Sequence, residues 1–203
     1  MRTLAMDIFE VMDTCRAIRY LKPDPVPAEL VTKLVWAATR APSPGNSQGW
    51  DFVVVTEPAP KEAIGAAIEA ALAPRLDGNT ETGERSTTLM MRGALNLART
   101  VGRAPVLVFV CGGVVYPPQQ PDERFTWSAI YPAAQNLVLA ARALGLGATF
   151  TTFHHVADRT IREVLAIPAE IRVGAMIPVG WPDRPFGPVN RNPVESFVHH
   201  ERW

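Results

Sequence analysis

The sequence predicts an α+β fold in a single domain spanning residues 1–203, and three observations carry that prediction. Helical and strand patterns are both present, but the helices outnumber the strands and do not alternate with them regularly, which argues against a doubly wound nucleotide fold. The composition, 47% apolar and 20% charged over 203 residues, is that of a globular chain long enough to bury one full-size core. Within 127–147, "WSAIYPAAQNLVLAARALGLG", apolar residues cover nearly every face from Ile130 to Leu144, interrupted only by Gln135, Asn136 and Arg142. A helix of that kind belongs at the centre of a protein.

The first helix is expected over 7–15, with Ile8, Val11, Met12 and Cys15 on one face. "RAIRYLKPDPVP" then reads as extended, because its three prolines exclude a helix. A second helix fits 27–40, opened by Pro27 and Glu29, with Leu30, Leu34, Ala37 and Ala38 as its buried stripe. The stretch "RAPSPGNSQGW" at 40–50 turns the chain into a strand at 52–56, and an alanine-rich helix follows near 60–73. Residues 74–88 read as a polar surface loop, leading to a helix near 89–101 and an apolar strand at 105–111. After the central helix come a strand "GATFTTF" at 147–153 and a short helix begun by Asp158. A strand at 172–179 follows, with Val173, Ala175, Ile177 and Val179 inward and Pro178 favouring an edge or terminal position. The tail 180–203 is proline-rich and ends in Phe197, Val198 and Trp203, so it is expected to wrap another surface.

Several functions have little support. Lys plus Arg and Asp plus Glu both total 20, so nothing suggests electrostatic binding of nucleic acid or a membrane surface. The apolar run 104–115 is too short to span a bilayer, and no signal pattern opens the chain, so a soluble cytoplasmic protein is expected. Cys15 and Cys111 lack metal or disulfide spacing, and the pairs His154-His155 and His199-His200 point their side chains apart, so no metal site is expected. No Walker loop, G-x-S-x-G, His-Glu-x-x-His or complete G-x-G-x-x-G occurs. What is left is a set of glycine and proline loops with arginines at selected places. A reaction carried by a cofactor needs just such a chain, since the protein then only positions and tunes the group.

Four segments together resemble the nitroreductase family of FMN-dependent oxidoreductases. "CRAIRYLKPDPVP" at 15–27 is similar to the family's Arg-Arg-Ser-x-Arg-x-Phe and its proline entry into a helix. "AATRAPSPGNSQGWDFVVV" at 37–55 looks like its Ala-Pro-Ser-x-x-Asn-x-Gln-Pro-Trp loop and strand, and 128–152 like its central helix and Gly-Leu-Gly strand. "GWPDRP" with "NRNPVESFVH" is similar to its terminal turn and arm.

The resemblance implies a mostly antiparallel central sheet flanked by helices, a lid region at 74–103, and a C-terminal arm, 180–203, exchanged across a homodimer. It implies FMN as cofactor and NADPH or NADH as donor, with hydride passing through flavin N5 by a ping-pong mechanism to a small flat acceptor of nitroaromatic or quinone type. Arg16 and Arg191 fall on phosphate-contacting positions, Ala17 lies beside the same subsite, and Arg19 falls on a position reaching the ring or ribityl chain. Pro42, Ser43, Pro44 and Asn46 match the loop that meets the other subunit's FMN. Thr151, Thr152 and Phe153 lie where the family presents a backbone N–H to N5. No side chain is named as acid or base, and Arg92 is a further candidate near the ring.

The sequence also departs from the family. Cys15 stands where an arginine is usual, Ala17 where a serine is, and Gly49 where a proline is. Read from the residues alone, Gln135 and Asn136 are polar groups satisfied inside the bundle, Trp36, Trp50 and Trp127 are core, and Trp203 is a tail anchor. A specialised flavin enzyme of the same fold and a non-catalytic FMN-binding protein are the alternatives.

Overall fold

The computed structural model describes residues 6–76 and 83–203. In chain order the elements are α1 (Ile8–Thr14), α2 (Ala28–Ala38), β1 (Trp50–Val55), α3 (Pro58–Leu76), α4 (Arg85–Thr100), β2 (Val106–Gly112), α5 (Glu123–Ala143), β3 (Gly147–Ala148), α6 (Asp158–Leu165) and β4 (Arg172–Gly180). The strands form one antiparallel sheet in the order β1-β2-β4-β3.

Strand alternation divides the core between the two sheet faces. Val106, Val108, Val110, Ala175, Ile177 and Val179 pack against Leu34 of α2 and Ile130 and Leu137 of α5. Leu107, Phe109, Cys111 and Met176 pack against Ile64 of α3, Leu97 of α4 and Ile161 of α6. With helices on both faces, β2 is buried along its whole length, and each large apolar side chain removed from water there contributes about 1.5–3 kcal/mol. Gly174 is the extra residue of a bulge between β2 and β4, where Val110 pairs with Ala175 and Cys111 with Val173.

Several boundaries differ from the sequence reading, each for a local reason. The central helix starts a turn earlier, because Asp122 caps it by accepting from the Arg124 N–H, and it ends at Ala143. The loop expected over 74–88 is shorter, since α3 runs to Leu76 and α4 begins at Arg85; residues 77–82 of that expectation lie outside the described residues. The strand expected over 147–153 is only Gly147–Ala148, with one further bridge from Thr151 to Met176 and a tight turn at Phe153–His155. By contrast α6 begins at Asp158 as expected, with Ala157 before it and no side-chain cap bond.

Pro178 lies inside β4, between β2 and β3, rather than at an edge. Its carbonyl accepts from the Thr149 N–H at 3.3 Å. A strand residue points its N and C=O to the same neighbour, so the missing N–H faces the interrupted β3 ladder and leaves the β2 pairing intact. Nor is β4 half exposed: from Val173 to Gly180 it is buried on both faces.

The face predicted for α1 is not covered by its own chain, where Val11 alone is buried and Ile8 and Met12 stand about half exposed. Trp36 is 58% exposed rather than core, whereas Trp50 and Trp127 pack partly against the α5 cluster. Gln135 is exposed, while the Asn136 amide donates to the Ala37 carbonyl at 3.3 Å, which ties α5 to α2.

Candidate functional site

The arginine segment is fixed by pairing with the β3 edge. The Ile18 N–H donates to the Ala148 carbonyl at 3.1 Å, and the Thr149 hydroxyl donates to the Ile18 carbonyl at 2.6 Å. Further along, the Lys22 N–H donates to the Trp181 carbonyl and the Asp183 N–H to the Tyr20 carbonyl. Residues 18–22 therefore lie between the strand carrying Thr149 and the chain leaving β4. This arrangement brings Arg16, Ala17 and Arg19 alongside the segment that leads to Thr151, Thr152 and Phe153.

The electrostatics of this corner suit an anion. Arg19 is half-buried, and burial, followed by the charge of Arg16, pushes its guanidinium below the usual arginine range. Two like charges held close are unfavourable unless a negative group joins them. Among the described residues, neither Arg16, Arg19 nor Arg191 takes part in an ion pair. Arg19 also lies along α4 at Gly93, where a Cβ would come within 3.3 Å of the Arg19 Cδ, and it borders a 350 Å³ cavity with Tyr20, Asn96, Arg103 and Asp183. A guanidinium cluster without carboxylate partners fits the phosphate and polar ring edge of a flavin nucleotide.

The tail returns to the same corner. The Val189 N–H donates to the Asp13 carbonyl at 2.8 Å, and Gly187 lies against Arg16, 3.5 Å from the position a Cβ would take to Nη1. Arg191 follows two residues later and is exposed. Within the segment 180–203, the part up to Val189 is tied to its own chain, whereas every residue from Asn190 to Trp203 is exposed.

Thr151–Phe153 is a narrower donor than the sequence suggests. The Thr151 N–H and hydroxyl both donate to the Met176 carbonyl, at 3.0 and 2.9 Å. The Phe153 N–H reaches the Thr151 hydroxyl at 3.4 Å, which leaves the N–H of exposed Thr152 without a partner among the described residues. His154 follows, fully buried, with its ring 4.1 Å from that of His155 and both nitrogens unpaired. Burial first, then the neighbouring His155, pushes its pKa down to about 4, against the smaller opposing influence of Asp158 and of the nearby Thr151 and Val173 backbones.

The loop 42–48 lies elsewhere. Ser43 accepts from the Gln48 N–H at 3.0 Å through its side chain and from the Asn46 N–H at 2.9 Å through its carbonyl. Gly45, Asn46 and Gln48 have φ of 57, 51 and 49°, a left-handed conformation costly for side chains other than glycine and asparagine. Gly45 is pressed on the Tyr116 ring, where a Cβ would collide with Cε2. Pro42 and Asn46 are exposed, and Pro44 opens the tight turn.

These two parts do not meet within one chain. The loop sits by the first turns of α5, near Phe125 and Ala129, while the Arg16 segment sits by its last turns, where Cys15 Sγ donates to the Val138 carbonyl. Ala129 and Arg142 are separated by about 20 Å along a helix rising 1.5 Å per residue. The sequence named Arg142 and Trp127 without placing Arg142 at this end of α5 or foreseeing the stacking of Trp127 on Tyr131, centroids 5.7 Å apart, with Phe150 6.1 Å beyond. Their four-residue spacing on α5 was the available signal for that pair.

Comparison with known proteins gives a consistent picture. The model of the nitroreductase family matches residues 14–181. A Methanothermobacter thermautotrophicus protein, named provisionally as an NADH dehydrogenase/NAD(P)H nitroreductase, is 29% identical over 98% of this chain and 88% of its own. Iodotyrosine deiodinase 1 of Rattus norvegicus is 27% identical over 91% of this chain, which spans 65% of that protein. The solved structure of the FMN and NADPH-dependent nitroreductase NfnB from Sphigopyxis sp. strain HMH superposes with a TM-score of 0.74 at 19% identity, covering 98% of this chain and 100% of that one. Among the described residues, no helix is long and apolar enough to cross a membrane.

Proposed function

The chain belongs to the nitroreductase family, and from that premise we propose that it is an FMN-dependent NAD(P)H oxidoreductase working as a homodimer. The observation that carries the reading is the arginine corner, where Arg16 and Arg19 flank Ile18 beside Thr149 and, among the described residues, form no ion pair. Arg16, Arg19 and Arg191 hold the anionic cofactor, and the Thr152 N–H is the donor free to meet its ring edge. FMN held by these residues would supply the redox chemistry, between NAD(P)H as hydride donor and a flat nitroaromatic or quinone acceptor. Arg19 favours negative charge on the reduced ring.

A second copy completes the site. The loop with Pro42, Ser43, Pro44 and Asn46 is too far from its own arginines, so it serves the partner's cofactor. Three exposed features support pairing: the α1 side chains Ile8, Phe9 and Met12; Trp36; and the tail with Val194, Phe197 and Trp203. A 720 Å³ groove lined by Val26, Val31, Val35 and Trp36 runs beside the free edge of β1 at Val54 and is where a partner's arm fits. The outward Leu89, Met90 and Met91 on α4 suit the expected lid over an apolar acceptor.

The test is the visible spectrum of purified protein before and after NADPH or NADH under anaerobic conditions, with mass measured by light scattering. A yellow dimer bleached by either nucleotide supports the proposal; a colourless monomer that takes up no added FMN overturns it. A specialised relative remains the second reading, favoured by the 27% identity to iodotyrosine deiodinase 1. In that case reduced protein transfers electrons to a halogenated phenol and not to nitroaromatics or quinones.

A further inference from the structure

The phosphate corner lacks two donors that the family resemblance leads one to expect, because Cys15 and Ala17 stand in place of an arginine and a serine. The fold brings another cation to that corner from the far end of the chain. Arg142, in the last turn of α5, donates from Nε to the Thr14 hydroxyl at 2.8 Å. Its guanidinium carbon lies 4.1 Å from the centroid of the Phe186 ring. It is close enough to Cys15 to lower that thiol's pKa, against the larger upward push of burial. The next tail residue after Phe186, Gly187, is the one that lies against Arg16. Among the described residues Arg142 has no ion-pair partner, and its two Nη groups make no hydrogen bond.

We propose that Arg142 is a phosphate-binding residue, replacing the donors lost at Cys15 and Ala17 and acting with Arg16 and Arg191 on the terminal phosphate of FMN. The proposal rests on the FMN reading above. Its physical basis is orientation: Thr14 occupies Nε and Phe186 supports one face, which leaves the Nη pair as a preset fork suited to two phosphate oxygens. A side chain already held in this way loses little rotamer freedom on binding.

The experiment compares FMN with riboflavin, which has the same ring and ribityl chain but no phosphate, binding to the full-length apoprotein by flavin fluorescence quenching. Arg142→Met keeps the apolar stem and removes the fork. It is expected to weaken FMN about tenfold or more while leaving riboflavin unchanged. Arg142→Lys, keeping charge without the planar fork, should lie between, and Thr14→Val should give a smaller selective loss. If Arg142→Met weakens both flavins equally, or leaves their ratio as in wild type, the proposal is overturned. Should that variant fail to fold, the Lys and Val variants decide on the same ratio. Wild-type protein that binds neither flavin overturns the FMN reading itself, a result distinct from an unchanged ratio.

Discussion

The two ends of α5 are built from different physics. At its C-terminal end, the Arg16 segment is locked by the backbone bond from Ile18 to Ala148 and by the Thr149 hydroxyl, and it carries charged side chains, so electrostatics dominate there. At its N-terminal end, the loop 43–48 has no strand to lean on. It holds three left-handed residues by internal bonds to Ser43 and by pressing Gly45 on Tyr116. One end is cationic and the other a preset polar loop, about 20 Å apart along α5, and in the proposed dimer each serves as half of a flavin site.

The sharpest way to break this comparison is to put the two defects on different chains. Arg16→Glu and Gly45→Val should each lose nearly all bound flavin as homodimers, whereas the mixed dimer should recover about half the flavin of wild type. Visible absorbance per dimer reads the result, and no recovery would mean that both half-sites serve one chain. Gly45→Val alone tests the strained end: a β-branched residue at φ 57° set against Tyr116 should cost about 2–4 kcal/mol in urea unfolding. Tyr116→Ala in the same chain should restore part of it by opening space.

At the other end, His154 lies just beyond the Thr151–Phe153 segment and tests how firmly that segment is buried. Its folded pKa of about 4 lies below the ordinary histidine value of about 6.5, so between those values the unfolded chain binds the extra proton. The neutral ring's contribution is complete above about pH 6.5 and is lost on acidification toward 4, by about 1.4 kcal/mol per pH unit at most. Denaturation midpoints measured across that window should fall with pH in wild type and fall less in His154→Gln. The smallest effect separates backbone from side chain at Asn46. Asn46→Gly keeps the left-handed turn, while Asn46→Ala adds about 1 kcal/mol of strain. If the Asn46 amide meets flavin, both weaken FMN; if only the turn matters, Gly binds as wild type does.

Much of this was legible in the residues. The α+β class and the central position of α5 follow from apolar periodicity, which burial reproduces at Ile130, Leu137 and Phe109, whereas the antiparallel sheet was implied by the family resemblance. The arginine segment and the 42–48 loop could be nominated because their glycines, prolines and cations stand in the order and spacing of the family they resemble. Less legible were "GATFTTF", where β-propensity suggested a longer strand, and Pro178, where it suggested an edge. In both, a tertiary partner decided the outcome: Met176 receives a single bridge from Thr151, and the ladder gap beside Pro178 needs no N–H.

The sequence by itself determined the fold class, the number and order of the main helices and most of the core, because periodicity, proline and glycine act over a few neighbouring residues. Only the tertiary structure decided that Arg142 reaches Thr14, 128 positions away, that the Arg16 segment and the 42–48 loop sit at opposite ends of α5, and that Trp36 faces outward. Those facts depend on how far elements are carried through space before they pack, a quantity that no local pattern encodes.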